Sequence, residues 1–409
     1  MQKTLFLLFI CIGWTGVYFF NPWLRPYVMV VSILAVVLLL DSLLGMRKAV
    51  PTLNLFDVLV VAFLFCLLLS SLINPISQKT VHYIFAYFFV FGFLYFGLRW
   101  ALSNPFLIPS VMQGSLIGFW IICSVAFIEF FLKINGFLGL SEYIPKIKVD
   151  RASHVILGER LPRVYSLMPE PGILGFYLNT IGVLVLGWVR LRQRYFHFIM
   201  LSVVWLLVYG LAGSAGALGA LVLAIILYSV FEVLLFRRTN TFWLLLGVIV
   251  GVGVWFMMNL SLLTKLLNPE AGSSDRFLRW QEGMDAIRVS GPFGEGLGNS
   301  ALTDAGSYIN WYLTLGVDGG WLALLIVLVA LFYTAMIALT SNIPLSGWFF
   351  VAIVAGAIQL NAIATFFNPF LWAVIALFFS FRSASKAVSR SAVGCLAPSS
   401  PTIPRMTSK

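Results

Sequence analysis

Residues 55–73 read LFDVLVVAFLFCLLLSSLI, nineteen residues with a single charge, Asp57, close to their start. A run of this length matches the ~20 apolar residues needed to cross a ~30 Å hydrocarbon core. It is continuously apolar and does not alternate, so a membrane β-barrel is excluded. Comparable runs recur along nearly the whole chain, and spans are expected near residues 4–20, 26–44, 55–73, 81–98, 111–132, 171–189, 195–212, 217–236, 242–260, 321–339, 347–364 and 366–381. The expected fold is an all-α polytopic integral membrane protein of about twelve transmembrane helices, with residues 1–381 forming one transmembrane domain. Composition agrees: 61% of the residues are hydrophobic and 10% charged, too few polar side chains to cover a soluble globule.

Orientation follows from the short loops. Arg47 and Lys48, the cluster Arg190, Arg192 and Arg194, the pair Arg237 and Arg238, and the tail bases Arg382, Lys386 and Arg390 fall on one side of a twelve-span arrangement. The positive-inside rule makes that side the cytoplasm and places both termini there. The first span leads into Phe20-Asn21-Pro22-Trp23 with no small-residue cleavage signature, so it is expected to be retained. Two long loops, 133–170 and 261–320, then face outward, and the Ser- and Pro-rich stretch 382–409 reads as a disordered cytoplasmic tail.

The net charge of +11 does not point to nucleic acid, because the bases are spread over cytoplasmic anchors and outer loops in no single stripe. Lipid headgroups and topogenesis account for them. Loop 261–320 carries four bases (Lys265, Arg276, Arg279, Arg288) against seven acids (Glu270, Asp275, Glu282, Asp285, Glu295, Asp304, Asp318). Cys11, Cys66 and Cys123 fall in spans and Cys395 in the tail, so the outer loops offer neither a disulfide framework nor a zinc site. Asp41, Asp57, Glu129 and Glu232 lie near span ends, within reach of headgroups or water. A charge-free midplane argues against an ion-coupled transporter.

The polar residues concentrate in the outer loops. Residues 274–288 are expected to form a helix capped by Ser274 or Asp275, with Phe277, Trp280, Met284 and Ile287 as an apolar stripe. Arg276, Arg279, Gly283 and Ala286 fall on the neighbouring face, where two guanidinium groups beside small residues make a seat for a phosphate or for lipid headgroups. Gly294, Gly296 and Gly298 read as a turn, with an anion-binding arrangement of backbone N–H groups as the alternative. Trp280, Tyr308, Trp311 and Tyr312 suit either stacking on sugar rings or an interfacial aromatic belt. In the other loop, Arg163 precedes Glu170-Pro171-Gly172, which places Glu170 at a helix N-terminus as a cap or as a reactive carboxylate. His154, the one histidine of the two loops, carries no motif around it.

The order Arg163 to Glu170-Pro171-Gly172, then Gly213-Ser214-Ala215-Gly216, Arg276 to Trp280, Gly294-Glu295-Gly296, Asn310 and Val317-Asp318-Gly319 resembles the O-antigen polymerase and O-antigen ligase superfamily of bacterial inner membranes. The resemblance covers approximately residues 160–340. It implies a GT-C-like glycosyltransferase that works on the periplasmic face without nucleotide, metal or other cofactor. Its substrate would be an oligosaccharide on undecaprenyl pyrophosphate, and its implied partners are membrane lipid, a chain-length regulator and a flippase. The implied site comprises Glu170, Asp318 and Asn310 as catalytic residues, Arg163, Arg276 and Arg279 on the pyrophosphate, and Trp280, Tyr308 and Trp311 on the sugars. Ligases of the superfamily carry a His-Asn pair where this chain has Ile309-Asn310, which favours the polymerase branch. Ser214-Ala215-Gly216 also lacks the arginine often found at that turn. Either Glu170 or Asp318 is of the right type to act as base on the acceptor hydroxyl. A transporter or flippase of lipid-linked sugars is the alternative of a different class.

Overall fold

The computed structural model describes residues 1–18, 25–44, 51–137, 153–156, 159–236, 274–300, 308–363 and 368–396. In chain order its helices are α1 (Gln2–Cys11), α2 (Pro26–Leu43), α3 (Leu55–Ile73), α4 (Gln78–Ala101), α5 (Pro105–Ile134), α6 (Pro171–Leu191), α7 (Tyr195–Ala212), α8 (Ala215–Phe236), α9 (Ser274–Ser290), α10 (Trp311–Asp318), α11 (Gly320–Thr340), α12 (Ser346–Gln359) and α13 (Phe370–Leu396). Between α5 and α6 a two-stranded antiparallel hairpin pairs β1 (Ser153–Ile156) with β2 (Glu159–Pro162). Among the described residues eight helices are long and apolar enough to cross a membrane, and the chain is a polytopic helical membrane protein. The expected span 242–260 lies outside the described residues.

Local chemistry sets where these helices start and stop. The Asn54 side chain accepts from Asp57 N while the Asp57 carboxylate accepts from Asn54 N, a reciprocal cap that opens α3. Ser77 and Thr80 open α4 in the same way. Pro171 occupies the first helical position of α6, where its missing N–H costs nothing. Gly213, at φ 56°, ends α7 in the left-handed conformation that a side chain disfavours.

α6 is the central element, with 89% of its span buried. The other candidate spans are at most half buried and keep the apolar surface that lipid requires. α1 lies on α5 at very close range, because Gly114 and Gly118 face the backbone of Phe6 and Phe9; an added Cβ would come within 2.5 and 2.7 Å of those carbonyl oxygens. α3 crosses the whole bundle. At its start Asp57 pairs with Arg99 at 3.3 Å, and at its finish Ser70 Oγ donates to Asp318 O.

Three expectations are revised. The first span is expected over 4–20, but α1 ends at Cys11 and residues 12–18 are not helical. Gly16 N instead donates to Leu167 O, and Gly16 is packed so tightly on Met168 that a Cβ would lie 2.5 Å from its carbonyl carbon. Asp57 and Glu129 do not reach headgroups or water: both are buried in the bundle, Asp57 against Arg99 and Tyr95 and Glu129 against Lys133 and two backbone N–H groups. The last helix continues beyond residue 381 to Leu396, through a stretch free of proline and rich in helix-forming alanine, lysine and arginine. Residues 397–409 lie outside the described residues.

Candidate active site

The segment before α6 folds back into the bundle. Glu129, fully buried in α5, accepts from Tyr165 N at 3.1 Å and Ser166 N at 2.6 Å through Oε2 and pairs with Lys133 at 3.0 Å through Oε1. Lys133 Nζ donates to Arg163 O at 2.7 Å and lies 4.0 Å from the centre of the Tyr165 ring. Ser166, held at φ 54°, donates through Oγ to Ile122 O, near the middle of α5. One buried ion pair thus anchors residues 163–166 below the rim of α5 and fixes where α6 can begin.

Glu170 occupies the N-cap position of α6, with extended backbone and half-buried side chain. Its carbonyl accepts from Ile173 N and Leu174 N, but its carboxylate makes no capping bond to the helix. The capping explanation for this carboxylate is therefore removed. Arg163 Nε donates to Ala212 O at 3.2 Å, which ties the guanidinium to the end of α7.

Around the start of α6 the structure gathers three further segments. Gly172 O accepts from Gln359 Nε2 at 2.8 Å, and a Cβ on Gly175 would meet Ala217 at 2.4 Å. Gly216 lies beside Ala362, and Asn361 Oδ1 accepts from Asn310 Nδ2 at 3.3 Å. Arg163, Glu170, Ser214, Asn310 and Asn361 therefore belong to one end of the bundle, on segments in mutual contact.

Asn310 has a structural role. Its Oδ1 accepts from Tyr312 N at 2.9 Å and Leu313 N at 3.3 Å, so it caps α10. Immediately before it Ile309 is held at φ 52°, a conformation unfavourable for a β-branched residue.

Asp318, the other candidate base, is only 1% exposed at the far end of α10. Its Oδ2 accepts from Gly298 N at 3.0 Å and its Oδ1 from Ser300 N at 2.8 Å. Burial pushes its carboxyl up to about 6, against the lowering effect of those two N–H donors. Glu295 N and Gly296 N donate to Val317 O and Asp318 O, so four N–H groups of the glycine turn are spent on the 317–318 segment. The anion held by this turn is the chain's own carboxylate. That gives Asp318 a structural role in closing the turn and corrects the alternative of a turn open to a ligand anion.

The aromatic residues divide. Trp311 is fully buried, donates from Nε1 to Tyr87 Oη at 3.3 Å, and meets Trp372 edge-on at 5.9 Å. Tyr308 is also buried, its ring against Gly283 of α9, and burial together with Glu295, Asp318 and Glu282 raises its phenol. Neither ring is available to stack on a sugar; both are core side chains. Trp280 is half-buried, and its indole N–H is enclosed with no hydrogen-bond partner among the described residues. α9 forms as expected over 274–288, but its packed face centres on Gly283 and Ile287, leaving Phe277 and Met284 exposed. Arg279 is half-buried on this helix, and the side chain of Arg276 lies outside the described residues.

A cavity of about 640 Å³ opens elsewhere, between α6, α7, α8 and the α11–α12 turn, with Trp205, Tyr228, Glu232 and Trp348 in its walls. None of the expected site residues lines it. Sequence reasoning missed Glu129, Lys133, Asn179, Gln359 and Asn361. The first two carried a signal, since a glutamate four residues before a lysine at a span end is a helical ion-pair spacing. No protein-family model matches the chain, and no curated protein matches it in sequence.

Proposed function

We propose that this chain is a glycosyltransferase of bacterial inner membranes that polymerises oligosaccharide repeat units carried on undecaprenyl pyrophosphate. In this reading the chain makes twelve spans with both termini in the cytoplasm, and the end of the bundle bearing Glu170 and Arg163 faces the periplasm. The observation that carries the proposal is the placement of Glu170: a half-buried carboxylate at the start of the central helix, not used as that helix's cap, on the same end as Arg163 and Asn361.

This placement suits direct glycosyl transfer. Glu170 would take the proton of the acceptor hydroxyl as the oxygen attacks the anomeric carbon, and the bond to the lipid pyrophosphate breaks with its electron pair leaving on the phosphate oxygen. A pyrophosphate leaving group is weakly basic and highly charged, so cations serve it better than a proton donor. Arg163, Arg276 and Arg279 are the cations assigned to it, each charge-assisted hydrogen bond contributing about 1.5–3 kcal/mol. Ile309 at the position of the ligase histidine favours polymerase over ligase.

A lipid-linked-sugar transporter is the second reading, and the cavity of about 640 Å³ among α6, α7 and α8 favours it. Deleting the protein and resolving the surface polysaccharide on a gel separates these. Loss of a polymerase leaves one repeat unit per anchor, loss of a ligase leaves none, and loss of a transporter traps the unit on the cytoplasmic side.

A further inference from the structure

A chain of buried hydrogen bonds runs from the middle of the bundle to the start of α6. Tyr209 Oη of α7 donates to Asn179 Oδ1 at 2.8 Å. Asn179 Nδ2 donates to Gln359 Oε1 at 2.7 Å and to Ala217 O at 2.9 Å, and Gln359 Nε2 donates to Gly172 O at 2.8 Å. Asn179 and Gln359 are 0% and 1% exposed. Both amide orientations are determined, because Gly172 O and Ala217 O can only accept, so each must face an NH₂ group.

Asn179 belongs to a π-helical segment, Leu178–Gly182, inside α6. Such a segment inserts a residue into the helical repeat, turning everything before it by about one residue's rotation, ~100°, relative to the turns after it. The direction in which α6 presents its first turn, and Glu170 with it, is therefore set at this segment. The network ties that segment to α7, α8 and α12 and then reaches the carbonyl two residues after Glu170. Apolar side chains could fill the same space, so stability alone does not call for a polar chain here; a fixed register does.

We propose that Tyr209, Asn179 and Gln359 are positioning residues that hold the N-terminus of α6, and so the Glu170 carboxylate, in its working orientation. The proposal rests on the reading of Glu170 as the base, and its test has one arm that is independent of activity. In that arm a nitroxide is attached at Glu170→Cys in a chain otherwise free of cysteine. Gln359→Met and Asn179→Leu should shorten its rotational correlation time by about 2-fold or more, while a label at Gln193→Cys, at the opposite end of α6, is unchanged. Unaltered spectra at position 170 in both variants would overturn the proposal.

The second arm measures initial rates in proteoliposomes, using the lipid-pyrophosphate-linked repeat unit extracted from cells that lack the protein. Gln359→Met should lower kcat about 10-fold with KM little changed, and Tyr209→Phe, which deletes one hydroxyl and spares the fold, should lower it less. In a Glu170→Gln background, whose residual rate is followed with radiolabelled repeat unit, neither should lower it further, because residues that act through one group are not additive. An equal fractional loss in both backgrounds would show a general effect on the fold and reject the positioning role. Full activity of Glu170→Gln by itself would instead overturn the assignment of Glu170, with the nitroxide arm still deciding whether the network orients the helix.

Discussion

Two segments at the same end of the bundle are folded around a buried carboxylate by the same device, and they differ in what neutralises it. Glu129 gathers Tyr165 N and Ser166 N and has Lys133 beside it. Asp318 gathers Gly298 N and Ser300 N, with no ion pair among the described residues, and its carboxyl is pushed up to about 6. The first arrangement is a fixed anchor, since the ion pair to Lys133, the two backbone N–H donors and the contact of Lys133 with the Tyr165 ring hold the segment from several sides. The second is held by the N–H groups of Gly298 and Ser300 together with the Ser300 side chain, and burial outweighs their lowering effect on its carboxyl. Glu170 differs from both: it follows the anchored segment directly, and no backbone N–H of its own helix occupies its carboxylate. Of these three acids, two build loops, and Glu170 is the one that the proposed transfer assigns to the substrate.

The largest effect should come from the anchor. Glu129→Ala leaves Lys133 buried without its carboxylate and frees residues 163–166, and should cost about 3–5 kcal/mol of unfolding free energy, measured by steric trapping in bicelles. A loss comparable to that of an exposed pair would erase the contrast between the two carboxylates. Asp318 should show the opposite pH signature to an ordinary paired acid. Its folded value lies above the ordinary 3.8, so the folded state binds more protons between 3.8 and about 6. Stability due to this group is highest below that window, falls as pH rises through it, and is fully lost above it, by roughly 3 kcal/mol. Relative to Asp318→Asn, the protein should therefore be more stable at pH 5 than at pH 7; a difference that stays flat would mean the carboxyl is not desolvated.

Smaller effects sharpen the same contrast. Gly294 has φ 72°, and a Cβ there would lie 2.5 Å from Gly320 N, so Gly294→Ala should cost about 1–3 kcal/mol by straining the turn that Asp318 closes. The exposed pair Arg288–Asp285 on α9, at 2.9 Å, should contribute at most about 0.5 kcal/mol, and Arg288→Ala should leave the melting temperature within error.

The helices were legible because a twenty-residue apolar run has few alternatives, and the extent of α9 was legible although its buried face was not. The break after Cys11 was not, because its cause is a contact between Gly16 and Leu167, some 150 residues away in sequence. The aromatic residues failed for a similar reason. Trp311 and Tyr308 have the sequence character of surface platforms, and only the arrival of Tyr87, Trp372 and Gly283 decides that they are core. At the site, the position of Glu170 at the start of a helix followed from Pro171, whereas the missing capping bond and the capture of Asp318 by its own turn depended on long-range geometry. The phase of α9 is misread from sequence because Gly283, with no side chain, scores as neither polar nor apolar, yet Tyr308 packs there.

The central claim is that Glu170 acts on substrate while Asp318 shapes a loop. The direct measurement compares polysaccharide chain length in cells expressing Glu170→Gln or Asp318→Asn, at matched membrane levels of each protein. Glu170→Gln is expected to give single repeat units despite normal protein abundance, and Asp318→Asn to give polymer in proportion to the folded protein that remains. Full-length polymer from Glu170→Gln would contradict the account.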